Sequence, residues 1–286
     1  MKKLLLLSGK GGTGKTTLAG AFVKMADARA YADCDVDAPN LHLILAPETN
    51  PMEMDFFGLD KAVIDPLQCT DCGLCEKVCR FDAIRAGRVD TFSCEGCGVC
   101  VEFCPEGAIA MTKHIAGKTA LYKEEDTVFS TAHLKMGSGN SGKLVTEVKK
   151  QLYENADQDA LAIIDGSPGI GCPVIASITG TDMVLMVAEP SVSGMSDLKR
   201  IVKTAKMLRA RVCVCINKWD LNNGIARKIE SYCREEEIDF LGRIPYDPKV
   251  IRELNRGRSI AEAKNSPAEK AIRNVFLKTV QILFKQ

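Results

Sequence analysis

The sequence predicts an α/β protein with a doubly wound, mainly parallel sheet and a small cysteine-rich unit inserted into it. Three observations carry that prediction. Apolar strand-like runs alternate with helix-like stripes, a glycine loop joins the first such pair, and eight of the thirteen cysteines crowd between Cys69 and Cys104. Strands alternating with helices imply a parallel sheet covered on both faces. Such sheets gather ligands beyond the carboxyl ends of their strands.

The elements follow in order. KKLLLLS reads as a strand, GKGGTGKT as a glycine loop and TLAGAFVKMADA as a helix. ARAYADCDVDAPN reads as a second strand ending in Asp33, Asp35 and Asp37. From Ala160 the rhythm returns in LAIIDGSPG, DMVLMVAEP and VCVCINKWD, separated by the helical patterns SDLKRIVKTAKML and NGIARKIESYCREE. A last helix from Pro267 places Ile272, Val275, Phe276, Thr279, Val280 and Leu283 on one stripe, the mark of a core-facing helix.

Composition narrows the function classes. With 286 residues, 46% of them apolar and 26% charged, the chain can bury a core, either as one large domain or as a domain with an insert. A formal net charge of +1 gives no global field for nucleic acid or anionic lipid, and no nucleic-acid partner is expected. No apolar run approaches the ~18 residues of a membrane span. Leu4 to Leu7 is too short for the ~7–15-residue apolar region of a secretion signal. A cytoplasmic location is therefore expected, and there cysteines serve as metal ligands more often than as disulfides. The scattered Cys34, Cys172, Cys213, Cys215 and Cys233 read as small buried apolar residues.

Residues 60–113 break the strand–helix rhythm with short segments, many glycines and the clustered cysteines. They read as an inserted domain too small to fold without metal centres. The flanking segments 1–59 and 114–286 then form the main domain. Within the insert, CTDCGLCEKVCRFDAI and CEGCGVCVEFCPEGAI repeat each other 25 residues apart.

Gly9 to Thr16 satisfies GxxxxGK[ST] between an apparent strand and an apparent helix, the context that gives this pattern its meaning. Gly9, Gly11, Gly12 and Gly14 let backbone N–H groups around Thr13 turn toward phosphate, and the first helical turn through Thr17 adds its dipole. Lys15 is expected to reach the β and γ phosphates, and Thr16 to place its hydroxyl on Mg²⁺.

The additional lysine in KGGTGKT, Lys10, makes the loop similar to the deviant Walker A P-loop of the MinD, ParA, Mrp and nitrogenase iron protein superfamily. The resemblance extends over nearly the whole chain. It implies that Lys10 contacts nucleotide across a dimer interface, so that closure of a homodimer, or of a heterodimer with a related ATPase, belongs to catalysis. It places DCDVDAPN at the first switch, with Asp35 positioning the attacking water near Mg²⁺, and DGSPG at the second, with Asp165 holding a water on the metal. Thr16, Asp35 and Asp165 are thus the expected Mg²⁺ residues, directly or through water, and Lys10, Lys15 and Asp35 the expected catalytic ones. Carboxylates and lysines suit phosphoryl transfer, which needs positioning and charge neutralisation. INKWD leaves two readings open, Asn217 at an adenine edge or Asp220 at guanine, with the loop favouring ATP. Pro245 and Asp247 fall where the family packs a loop against the base.

CxxCxxCxxxC, found twice, is the spacing of two-cluster bacterial ferredoxins, in which the fourth cysteine ligates the other cluster. On that pattern Cys69, Cys72, Cys75 and Cys104 hold one 4Fe-4S cluster, and Cys94, Cys97, Cys100 and Cys79 hold the second. Three cysteines within seven residues suit a cluster better than a zinc site, which usually pairs two CxxC units over a longer gap. Arg80 stands where proline would follow Cys79, whereas Pro105 follows Cys104, so the two environments differ. His42, His114 and His133 lack ligand spacing.

Together these features imply an ATP-binding and ATP-hydrolysing iron–sulfur protein whose dimer switch drives electron transfer to a redox partner. Two alternatives stay open: an ATP-dependent cluster carrier serving an apo-protein acceptor, and a positioning ATPase like MinD or ParA. GSGNSGK after the insert resembles the family and suggests a mobile loop near the nucleotide or dimer face.

Overall fold

The computed structural model describes residues 1–285, and its strands form where apolar runs can be covered from both sides. The first third contains β1 (Lys2–Leu7), α1 (Lys15–Ala26), β2 (Ala30–Asp33), α2 (His42–Leu45) and β3 (Met52–Phe57). The cysteine-rich region contains β4 (Lys61–Ile64), α3 (Leu74–Val78), β5 (Ile84–Arg85), β6 (Arg88–Val89), α4 (Val99–Glu102) and β7 (Ile109–Thr112). There follow β8 (Ile115–Glu124), β9 (Thr127–Leu134), α5 (Ser141–Asn155), β10 (Leu161–Asp165), α6 (Cys172–Ile178), β11 (Met183–Ala188) and α7 (Val192–Met207). The chain closes with β12 (Arg211–Asn217), α8 (Asn223–Glu235), β13 (Asp239–Ile244), α9 (Pro248–Leu254) and α10 (Pro267–Phe284).

Nine strands make one sheet in the order β13-β12-β11-β1-β10-β2-β9-β8-β3. Neighbours from β13 to β9 are parallel, and β8 pairs antiparallel with both β9 and β3. From β1 the chain crosses through α1 to β2 on one side. From β10 it crosses through α6 to β11 on the other side of β1. The strand order thus reverses beside β1, which opens a crevice at the carboxyl ends there.

Both faces of the sheet are covered, which is why Leu4 to Leu7 form an unbroken apolar run, all fully buried. Leu4 and Leu6 pack with Leu18 and Phe22 of α1 and Ile272 and Val275 of α10. Leu5 and Leu7 belong to the opposite core, with Leu144 and Val148 of α5, Leu198 of α7 and Ile229 of α8. Phe22 meets Phe276 edge-on at 5.1 Å between ring centroids, tying α10 to α1. The α10 stripe is buried at Ile272, Val275, Phe276, Thr279 and Leu283. No helix among the described residues is long and apolar enough to cross a membrane.

Four of the scattered cysteines, Cys34, Cys213, Cys215 and Cys233, are buried in these cores, whereas Cys172 corrects the expectation for the group. It is exposed because it opens α6, at the crevice end of the sheet rather than under a helix.

The chain leaves the main sheet after Phe57 and rejoins it at Ile115, which pairs with Phe57. Between them, β4 pairs antiparallel with β7, and β5 with β6. The internal repeat is visible in three dimensions: α3 and α4 each start after a left-handed glycine, Gly73 and Gly98. The unit has its own small core of Ala62, Ala83, Ile84 and Ile109 around Cys94 and Cys100. It also touches the main body, because the Phe92 ring fills the space beside Gly137, where any side chain would collide with it. GSGNSGK is therefore seated against the cysteine-rich unit at one end. At the other it opens α5, where Gly142 lies against Cys172, a Cβ there falling 3.3 Å from the Cys172 Cβ.

Candidate functional site

Three adjacent parallel strands, β1, β10 and β2, end together, and the loop Ser8–Gly14 turns over their ends into α1. A cavity of about 700 Å³ opens there, within the ~300–1,000 Å³ of small-molecule sites. Gly11, Gly12, Thr13, Gly14, Lys15, Thr16 and Thr17 line one wall, and Asp35, Asn217 and Pro245 face them. Gly9 and Asp165 stand behind this lining, and Lys10, whose side chain is partly exposed, is not among the lining residues. Gly9 backs against the Asp197 side chain, and Asp165 lies beneath Lys15.

Gly14 has φ 91°, and a Cβ on it would collide with the Asn217 amide nitrogen. Only glycine meets both demands. Asn217, the last residue of β12, donates from Nδ2 to the Thr13 carbonyl oxygen at 2.7 Å and so braces the loop from below. Asp220 accepts from the Tyr246 backbone N–H at 2.8 Å, which fixes the segment carrying Pro245. Asp247 caps α9 and accepts from Ser266 Oγ at 2.5 Å.

Lys15 Nζ lies 2.5 Å from Asp165 Oδ1, with the two side chains 5% and 0% exposed. Burial disfavours the Lys15 ammonium, but the Asp165 carboxylate beside it, with Asp33 and Asp35 farther off, holds its pKa above the ordinary lysine value. Asp33 is in register with Asp165 on the neighbouring strand. It accepts backbone N–H bonds from Asp35 at 3.0 Å, Asn40 at 2.8 Å and Leu41 at 2.9 Å. Those bonds shape the turn that presents Asp35 to the cavity. Burial raises the pKa of Asp33, and the nearby Asp165 charge adds to it. Asp35 is likewise raised, first by burial. Ser167 Oγ donates to the Cys34 carbonyl oxygen at 2.5 Å and ties the loop after β10 to the end of β2.

Two polar atoms here have no partner: Thr13 Oγ1 and Asp165 Oδ2 are buried and accept or donate nothing. Orphaned buried polar atoms are rare in native proteins. At the end of a P-loop they fit a site whose polar complement is a nucleotide with its metal ion.

Sequence reasoning missed two residues of this site, Glu189 and Lys218. Lys10 Nζ pairs with Glu189 Oε2 at 2.6 Å, Lys218 Nζ lies 3.7 Å from Glu189 Oε1, and Lys218 Nζ also donates to the Gly12 carbonyl oxygen at 3.0 Å. The signal for Glu189 was present, since it follows the apolar run of β11 and strand ends point into the crevice. Lys218 lay inside INKWD, hidden between Asn217 and Asp220.

The eight clustered cysteines fall into two hollows. Cys69, Cys72, Cys75 and Cys104 line one, and Cys79, Cys94, Cys97 and Cys100 line the other. Each hollow takes three cysteines from one repeat and the fourth from the other. None of the eight is in a disulfide. Among the described residues, no three Cys, His, Asp or Glu side chains converge closely enough to hold a single metal ion.

Comparison with known proteins agrees with the crevice. The sequence profile of the CobQ/CobB/MinD/ParA nucleotide binding domain matches residues 4–260. An uncharacterized protein of Methanocaldococcus jannaschii is 32% identical over 227 residues, covering 77% of this chain and 79% of its own. The iron-sulfur cluster carrier protein of Pyrococcus horikoshii is 24% identical, covering 98% of this chain and 86% of its own. Among solved structures, the septum site-determining protein MinD complexed with Mg-ADP from Pyrococcus horikoshii superposes with a TM-score of 0.59 at 17% identity. That superposition covers 100% of this chain and 99% of the other. The chain belongs to the CobQ/CobB/MinD/ParA nucleotide-binding family.

Proposed function

We propose that this protein binds and hydrolyses ATP and couples a nucleotide-driven dimer switch to electron transfer through two 4Fe-4S clusters. The observation that carries the reading is the crosswise gathering of eight cysteines into two four-sulfur hollows on a unit inserted into a nucleotide-binding domain. Three cysteines from one repeat and the fourth from the other match the ligand pattern of two-cluster ferredoxins, whereas zinc sites usually pair two CxxC units over a longer gap.

When bound, Mg²⁺ supplies charge neutralisation at the phosphates, and the clusters supply one-electron storage. The chain does the rest. Lys15 leaves Asp165 to reach the phosphates, Thr16 and Asp165 hold the metal's ligand sphere, and Asp35 orients the attacking water. Lys10 leaves Glu189 to reach the partner's nucleotide. Asn217 and Pro245 bound the base.

A contiguous path supports the coupling. Phe92, two residues before Cys94, packs on Gly137; the same segment opens α5, where Gly142 rests on Cys172; and Cys172 follows the loop after Asp165. A γ-phosphate that reorders that loop therefore moves the packing partner of the cluster-bearing unit. A redox partner meets the clusters at Cys72 and Cys97, the exposed members of the two sets.

Linkage gives the test. If nucleotide and reduction are coupled, oxidised and reduced protein bind Mg-ATP with different affinities. Equal affinities in anaerobic titrations of the two redox states would remove electron coupling from the proposal.

The relative named as an iron-sulfur cluster carrier favours a second reading, ATP-dependent delivery of clusters. Four protein ligands per cluster, with Cys94 and Cys100 buried, oppose release. Incubation with an apo-acceptor separates the two readings: iron moves to the acceptor only in the second.

A further inference from the structure

One hollow has a neighbour that the other lacks. Lys61, the first residue of β4, is 8% exposed, and its Nζ donates to the Cys94 carbonyl oxygen. Among the described residues no carboxylate oxygen lies within 4.0 Å of that ammonium. A buried cation without an anion is costly. Four thiolates around a 4Fe-4S core leave a net negative charge, which is the counter-charge Lys61 lacks.

The surroundings of the two hollows differ in the same sense. Asp71, Glu76 and Glu106 line the hollow of Cys69, Cys72, Cys75 and Cys104. The hollow beside Lys61 is lined by one carboxylate, Glu95, and each hollow has a backbone N–H donor on one of its cysteines, Ala83 at Cys79 and Glu76 at Cys75, so charge is what separates them. Hydrogen bonds to sulfur and local net charge both tune cluster potential. Reduction adds one electron and no proton, so a cation or donor nearby stabilises the reduced state and carboxylates destabilise it. Burial of Cys94 and Cys100 works the other way. The same low dielectric, however, strengthens the field of an ammonium held beside them.

We infer that Lys61 sets the potential of the cluster held by Cys79, Cys94, Cys97 and Cys100 above that of its twin. An electron entering the unit then rests next to the nucleotide-binding body. This inference rests on the two-cluster reading proposed above. The segment that carries Cys94 and Cys97 packs on the main body: Gly96 lies against Leu59, the last residue before the insert, and Phe92 seats on Gly137. Lys61 touches a ligand residue and acts on the reaction through charge, so it is a positioning residue.

The test is an anaerobic, EPR-monitored titration of the full chain with dithionite as the one-electron donor. Wild-type protein is expected to show two one-electron waves. Lys61→Met and Lys61→Gln should move the higher wave to more negative potential and leave the lower one in place, and Lys61→Arg should keep both. Gln retains a donor for the Cys94 carbonyl oxygen without the charge, which separates electrostatics from packing. Two intact clusters with an unmoved higher wave in both neutral variants overturn the inference. Loss of one cluster's iron in the neutral variants with retention in Lys61→Arg supports a need for the charge, and loss in all three overturns it. Wild-type protein that binds fewer than two clusters defeats the two-cluster reading itself, a separate result.

Discussion

Lys10 Nζ lies 2.6 Å from Glu189 Oε2, so the lysine assigned to a partner's nucleotide is held within its own chain. The pair is 40% and 19% exposed, and ion pairs of that exposure contribute about 0–1 kcal/mol. Lys10 is therefore released at small cost. Lys10→Ala should leave the monomer's stability within about 0.5 kcal/mol and abolish dimerisation with Mg-ATP, while Glu189→Gln should dimerise at lower ATP concentration. Analytical ultracentrifugation checks both, and a Lys10→Ala protein that dimerises like wild type contradicts the assignment.

Lys15 and Asp165 make a different kind of pair, fully buried between α1 and β10. Removing one partner strands the other's charge, a loss of roughly 3–5 kcal/mol. Lys15→Ala is expected to be destabilised by that amount without nucleotide, and to bind no ATP. Adding Asp165→Asn should restore much of the stability and none of the binding. Denaturant titration and nucleotide binding measured side by side decide this, and additive stability losses in the double variant would refute the pairing energetics.

The crosswise sulfur sets make a prediction about cluster content. Cys104→Ser should disturb the cluster of Cys69, Cys72 and Cys75, although Cys104 lies in the second repeat, and Cys79→Ser should disturb the other. Anaerobic iron analysis should fall from about eight toward about four per chain when one cluster is lost. Which EPR signal vanishes identifies the set. Loss of the signal belonging to the variant's own repeat would show that each repeat holds its own cluster.

Acid should weaken the anchor of α9 on α10. Burial opposes the Asp247 charge, yet bonds from Ser266 Oγ at 2.5 Å and the Lys249 backbone N–H at 2.9 Å hold its carboxyl below the usual range. A depressed carboxylate contributes stability that is complete above its unfolded pKa, about 3.9, and is lost as pH falls through the folded value. The stability gap between wild type and Asp247→Asn should therefore be largest near neutrality and shrink below about pH 4. Urea denaturation across that range measures it, and a gap independent of pH contradicts the assignment. Ser266→Ala removes the same bond and the α10 cap, at about 1–2 kcal/mol.

Local features were legible in the sequence. Leu4 to Leu7, the loop to Thr16 and the α10 stripe each carry their pattern within a few residues. The CxxCxxCxxxC repeat likewise named its eight cysteines. What could not be read was adjacency created by strand order. Asp33 meets Asp165 because β10 inserts beside β2, more than a hundred residues later in the chain. Glu189 meets Lys10 because β11 lies on the other side of β1. GSGNSGK had no chemistry of its own in the sequence, since its meaning lies in what Gly137 and Gly142 allow to approach, Phe92 and Cys172. Lys61 carries no motif of its own, and its place beside Cys94 exists only once β4 has folded and buried it.

The coupling of nucleotide to clusters is tested most directly by an anaerobic redox titration followed by EPR, with and without Mg-ATP. Two 4Fe-4S signals are expected, and at least one midpoint potential should shift when Mg-ATP is present. Two clusters whose potentials are the same in both titrations would contradict nucleotide-coupled electron transfer.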